Sequence, residues 1–145
     1  GLPAIPAVIQ VSVIYKMDYL RGRFRSIGFA LQGIKWLMHT QPNARIHAWA
    51  TVLVFLAGWS ADLSRLEWAL LLGAVGAVWI AEALNTAIEW AVDLASPEHH
   101  ALAGKAKDVA AAGVLIASLA AVAMGLLVFF PYASALFCPI ILAII

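Results

Sequence analysis

Residues 67–95 read EWALLLGAVGAVWIAEALNTAIEWAVDLA, and the fold turns on how this stretch is understood. Its first half is apolar apart from Glu67 at the edge, while Glu82, Asn85, Glu89 and Asp93 punctuate the second half. At about 100° per residue, spacings of three, four and four place these four side chains within an arc of about 80°. The segment therefore reads as one long membrane-spanning helix carrying a single acidic stripe. A carboxylate at mid-bilayer costs on the order of 2.5–3.5 kcal/mol even on the lenient insertion scale. Glu82 is the deepest of the four and the hardest to account for by chance. Gluing helices together, or staying protonated, would explain Asn85 alone better than it explains four polar residues in line.

The rest of the chain agrees with a bilayer. Of its 145 residues 64% are hydrophobic and 12% charged, and the mean hydropathy is +0.93. Soluble domains run at about 45–50% apolar and about 25% charged, and a soluble chain this short could not hide the excess. The net charge of +1 gives no reason to expect a nucleic-acid partner. The single cysteine, Cys138, supports neither a disulfide framework nor a metal site.

Working outward, residues 46–61 (IHAWATVLVFLAGWSA) form the first expected span, with Trp49 and Trp59 suited to the two interfaces. Residues 62–66 make a tight connection to the second span, 67–95. A polar loop over 96–107 holds Pro97 and Gly104, and residues 108–130 form the third span. Asp108 stands like an N-cap, Pro131 is expected to end the helix, and small residues such as Ala110, Gly113, Ala117 and Ala121 favour close helix approach. Before the first span, residues 18–40 carry Phe24, Ile27, Leu31, Ile34 and Met38 at helical spacing beside Arg21, Arg23, Arg25 and Lys35. This pattern predicts an amphipathic helix lying on the membrane surface, stopped by Pro42. The fold class is thus all-α: a surface helix plus three transmembrane helices. Residues 1–17 are expected to be an apolar extension, with Met17 a candidate natural start, and 132–145 an apolar tail too short for a fourth span.

Charge sets the orientation. Lys16, Arg21, Arg23, Arg25, Lys35 and Arg45 precede the first span, Lys105 and Lys107 lie between the second and third, and only Arg65 falls on the other side. The excess places the N-terminus and the second loop in the cytoplasm. A site there would meet cytoplasmic metabolites.

The acidic stripe needs a cation to relieve its own repulsion, and carboxylate oxygens are the ligands magnesium prefers. The following loop adds Glu98, His99 and His100, then Lys107 and Asp108. Lys107 offers a point charge for phosphate, and Asp108 is placed to orient it or a nucleotide group. Taken alone, Lys107 and Asp108 read more simply as an interfacial anchor and a helix cap. Beside the stripe they read as a site. His47, His99 and His100 lack a metal-binding pattern, and His39 suits an interface. GAVGA at 73–77 lies inside an apolar helix with no following Lys-Ser/Thr, and there is no nucleophile elbow or zinc motif.

Glu82-Ala-Leu-Asn-Thr-Ala-Ile-Glu-Trp-Ala-Val-Asp93, with Pro97-Glu-His-His100 and Ala106-Lys-Asp-Val-Ala-Ala-Ala112, resembles the prokaryotic diacylglycerol kinase and undecaprenol kinase family. The likeness runs from about Ser26 to Pro131 and includes Gly33 and Arg45-Ile-His47. It implies a small homotrimeric enzyme of the bacterial inner membrane that moves the ATP γ-phosphoryl group to the hydroxyl of a membrane lipid. It further implies Glu82 as general base, Glu89 as ligand to Mg2+, and Asn85, Glu89, Asp93, Glu98, His100, Lys107 and Asp108 around the nucleotide. Arg45-Ile-His47 and Pro97-Glu-His-His100 look closer to the undecaprenol branch.

One position departs from the family pattern. A second metal-binding Glu is expected where this chain has Gln41, followed by Pro42. An amide oxygen can ligate a cation but brings no charge, so weaker metal binding is expected. The competing function is a catalytically weak three-helix subunit packed in a larger membrane complex. The retained Glu82, Glu89, Lys107 and Asp108 argue against it.

Overall fold

A computed structural model describes the backbone over residues 7–98 and 100–144, with side chains described from 21 to 135 apart from 99. Every regular element among these residues is an α-helix: α1 (Ala7–Thr40), α2 (Pro42–Ser60), α3 (Arg65–Ala95) and α4 (Ala101–Ile144). The chain divides into two compact units, residues 1–40 and residues 41–145.

The first unit is α1, whose helix begins at Ala7, earlier than the expected start at 18. Phe24, Ile27, Leu31 and Ile34 of the apolar stripe are exposed, as a surface that meets lipid requires.

In the second unit, α2 starts where the sequence says a helix must restart. Gln41 is extended (φ −103°, ψ 115°) because the ring of Pro42 disfavours helical geometry in the residue before it. Pro42 then occupies the first turn of α2, where its missing N–H costs nothing. The α2–α3 hairpin turns at Asp62, which adopts φ 51°, a left-handed value that Asp tolerates better than most residues. Ser64 caps α3 with a capping box: its hydroxyl accepts from the Glu67 N–H at 3.4 Å, and its own N–H donates to Glu67 Oε2 at 2.8 Å. Gly58 permits the close approach of the two helices. A Cβ there would lie 2.7 Å from Trp68 Cη2, and Trp68 in turn packs against Phe55 with ring centroids 5.5 Å apart.

The buried core of this end is Leu63, Leu71 and Val128, flanked by Val54, Trp68, Phe129 and Tyr132. Tyr132 donates its hydroxyl to both carboxylate oxygens of Glu67 at 3.0 Å, tying α4 to the first turn of α3. Between α2, α3 and α4 runs an apolar groove of about 500 Å³, floored by Leu71, Val75 and Val78 and reaching His47 at one end.

Three expectations for α4 are corrected. The helix begins at Ala101, so Lys105, Lys107 and Asp108 already lie on it and Asp108 is not its N-cap. The polar connection shrinks to residues 96–100, of which His99 lies outside the described residues. Pro131 does not end the helix, which continues to Ile144. Proline removes one backbone hydrogen bond, but in apolar surroundings unwinding would strand every following amide, so the helix persists beyond it. The Ser134 hydroxyl also donates to the Pro131 carbonyl at 2.8 Å. The side chain of Cys138 falls outside those described.

Among the described residues, two helical segments are long and apolar enough to cross a membrane, Arg65–Ala95 and Ala101–Ala135. Apolar side chains along α4 such as Leu119 and Leu127 are exposed, Leu127 to 74%. The protein is an all-α membrane protein.

Candidate functional site

Helix α3 carries the stripe from the interior of the second unit to its surface. Glu82 is buried to 1% exposure, and Asn85 is buried next to it. Glu89 is half-buried, and the Asp93 side chain is 62% exposed. The arc read from the spacing is therefore real, and it is graded: each turn toward the end of α3 brings the next polar group closer to solvent.

The members have different partners. Asn85 Nδ2 donates to Glu89 Oε1 at 3.0 Å, one turn along the helix. That bond orients the Glu89 carboxylate and disposes of one amide proton that would otherwise be buried unpaired. Asp93 forms an ion pair with Lys107 of α4. Of the two roles expected for Asp108, orienting Lys107 or a nucleotide group, the first falls to Asp93: along one helix, i and i+1 side chains diverge, whereas packing α4 on α3 brings Lys107 to Asp93. Asp108 is exposed on α4.

Glu82 has a neighbour that sequence reasoning set aside. His47 of α2 places Nε2 3.9 Å from Glu82 Oε2. Both Glu82 oxygens, His47 Nε2, Asn85 Oδ1 and the Thr86 hydroxyl are shielded from solvent without a hydrogen-bond partner. Such groups are costly to bury unsatisfied, and their concentration at one place marks it as a point where polar chemistry is expected. His47 was missed because no pattern along one helix links positions on two. Its place in the Arg45-Ile-His47 match was the available signal.

The remaining candidates come from the α3–α4 connection and from the start of α2. Glu98 is exposed in the α3–α4 connection, where its carbonyl accepts from the Ser96 hydroxyl at 3.2 Å. His100 is also exposed, and its Nδ1 accepts from the Leu102 N–H at 3.2 Å at the start of α4. Gln41 sits at the N-cap of α2 without a side-chain cap hydrogen bond.

No group of three or more His, Cys, Asp or Glu side chains comes together as a metal cage among the described residues. Magnesium does not require one. It keeps several waters and is ordinarily bound through one or two carboxylates plus substrate phosphates. Glu89, half-buried and already oriented by Asn85, is a hard oxygen donor of the right kind, so the residues present fit that ion.

The profile of the prokaryotic diacylglycerol kinase family matches residues 28–129. An undecaprenol kinase from Bacillus subtilis is 39% identical over 108 residues, covering 74% of this chain and 88% of the relative. A diacylglycerol kinase from Synechocystis is 41% identical over 101 residues, covering 69% of this chain and 58% of that longer relative. A diacylglycerol kinase from Escherichia coli is 34% identical over 98 residues, covering 68% of this chain and 80% of the relative.

Proposed function

This chain belongs to the prokaryotic diacylglycerol kinase family and is a membrane lipid kinase, and we propose that it transfers the γ-phosphoryl group of ATP to the hydroxyl of undecaprenol or diacylglycerol. The observation that carries this reading is the graded stripe on α3, from buried Glu82 to exposed Asp93 paired with Lys107. One end suits a lipid hydroxyl and the other a nucleotide arriving from water.

Depth supports the division. Glu82 lies about 25 Å along α3 from Arg65, at ~1.5 Å per residue. Against a hydrocarbon core about 30 Å thick, a helix entering at Arg65 brings Glu82 just beneath the opposite interface, where a lipid presents its hydroxyl. The excess of positive charge supports the cytoplasmic side for that interface, in what we take to be the bacterial inner membrane. The same orientation makes α2 a third span, since it must carry the chain from Arg45 across to the α2–α3 hairpin. Residues 18–131 then form the kinase domain, with 1–17 and 132–145 flanking it. The exposed apolar face of α4 suits packing within a homotrimer.

In this reading Glu82 is the general base. Its carboxylate takes the proton of the lipid hydroxyl as the oxygen attacks the γ-phosphorus and the bond from phosphorus to the β,γ-bridging oxygen breaks, releasing ADP. Phosphoryl transfer asks little covalent help of the protein and much positioning. Glu89 would hold Mg2+, with Asn85 orienting the carboxylate and Gln41 offering a neutral amide oxygen where the family pattern has a carboxylate. When bound, that ion neutralises charge on the phosphates. Lys107, steadied by Asp93, offers a point charge to the phosphate chain. Glu98 and His100 line the nucleotide from the α3–α4 connection, and Asp108 from α4.

The test is transfer from labelled ATP by purified, oligomeric protein in mixed micelles, offered undecaprenol and diacylglycerol separately. Labelled phospholipid is expected from at least one. Label in neither, with folded protein, would favour the competing reading of a catalytically weak subunit of a larger assembly, which the neutral Gln41 is the one residue to suggest.

A further inference from the structure

Glu82 has both carboxylate oxygens buried without a partner, and the nearest ionisable group to it comes from another helix. We propose that His47 is a positioning residue for Glu82: its Nε2–H donates to Oε2 and turns Oε1 toward the lipid hydroxyl. The proposal rests on the reading of Glu82 as the base.

Three features of the packing support it. First, the two groups face each other: His47 Nε2 is 3.9 Å from Glu82 Oε2, and that nitrogen too is buried without a partner. The separation exceeds a hydrogen bond. Catalytic hydrogen bonds are often long in the free enzyme and tighten when substrate is in place. Second, the obvious competing donor is engaged elsewhere, because Asn85 gives its amide proton to Glu89 Oε1 at 3.0 Å. The Thr86 hydroxyl, buried one turn after Glu82, makes no hydrogen bond to it.

Third, the backbone of His47 is held from α3 itself. The indole N–H of Trp79 donates to the Thr51 hydroxyl at 3.0 Å, and that hydroxyl donates to the His47 carbonyl at 2.7 Å. Trp79 precedes Glu82 by three residues on the same helix, so α3 carries both the carboxylate and the anchor for the imidazole that faces it. An unanchored histidine would spend entropy to reach one geometry, and this one has its turn of α2 fixed already.

The experiment compares steady-state kinetics of the full-length enzyme with His47→Leu, His47→Gln, His47→Asn and Glu82→Gln, checking oligomer size first. A hydrogen bond to a charged group accounts for roughly a 10- to 100-fold effect. His47→Leu should therefore lose that much kcat while KM for magnesium-ATP stays unchanged. His47→Gln should recover most of the rate, since its amide nitrogen reaches the place of Nε2. His47→Asn, whose shorter amide reaches only the place of Nδ1, should stay impaired. If Glu82→Gln abolishes turnover while His47→Leu keeps kcat within about twofold, the positioning role is wrong and the base assignment survives. If the Gln and Asn variants are equally impaired, donation from the Nε2 position is not what matters, and the proposal fails even where His47→Leu does not assemble. If Glu82→Gln itself turns over normally, the base assignment is wrong and this role falls with it.

Discussion

The ammonium group of Lys107 in α4 pairs with the carboxylate of Asp93 in α3, fourteen residues earlier in the chain. Both side chains are substantially exposed, at 36% and 62%, so the pair contributes only about 0–1 kcal/mol to stability. Its consequence is positional: it holds a flexible cation beside the acidic stripe, at the end of α3 that meets solvent.

Lys107→Met should therefore separate binding from folding. Nucleotide affinity is expected to fall about tenfold, the equivalent of ~1.4 kcal/mol, while the melting temperature changes by no more than a few degrees. Fluorescent-nucleotide titration and thermal unfolding of the detergent-solubilised protein measure the two. Unchanged affinity would remove Lys107 from the nucleotide site.

Glu82 and Glu89 share one face of α3, about two turns apart, and their roles should part on mutation. Glu82→Gln is expected to cut kcat by about 10²–10⁴, the usual worth of a general base, with magnesium-nucleotide affinity intact. The protein should be no less stable, since a buried charge is lost. Glu89→Gln should instead raise the magnesium and nucleotide concentrations needed for half-maximal rate. Should both variants lose nucleotide binding equally, the division of labour between the two carboxylates is refuted.

Gln41→Glu restores a carboxylate at the N-cap of α2. The expected result is a lower magnesium concentration for half-maximal activity. A small gain in stability, about 0.3–1 kcal/mol, should accompany it, because a negative charge at a helix N-terminus is favourable. The stability gain would occur wherever the side chain points, so the magnesium midpoint is the deciding measurement. A midpoint that stays put or rises would place Gln41 away from the metal.

Gly58→Ala tests the hairpin that fixes α2 against α3. The new Cβ would meet Trp68 Cη2 at 2.7 Å, with Leu63 Cδ1 at 3.0 Å. Overpacking of this kind costs typically 1–3 kcal/mol. A lower unfolding temperature is expected, and because His47 lies on the same helix, a lower kcat as well. A variant as stable as the parent would show that the hairpin yields freely.

Sequence alone settled what depends on neighbours along one helix. The arc of Glu82, Asn85, Glu89 and Asp93 follows from helical periodicity, and the break at Gln41 from the steric demand of Pro42 on the residue before it. The family was legible for the same reason, its motif being contiguous on α3 and the start of α4. Tertiary structure decided the rest. Which cation meets Asp93, and that His47 faces Glu82, depend on where α4 and α2 lie against α3. No spacing within a single helix encodes a separation across two. The extent of α4 was likewise not local: Pro131 and Gly104 read as breakers by their own chemistry. The cost of stranding backbone amides in an apolar medium, with Tyr132 anchored to Glu67, keeps the helix whole through Pro131, while Gly104 continues the first turn of α4 with its N–H donating to the His100 carbonyl at 3.2 Å.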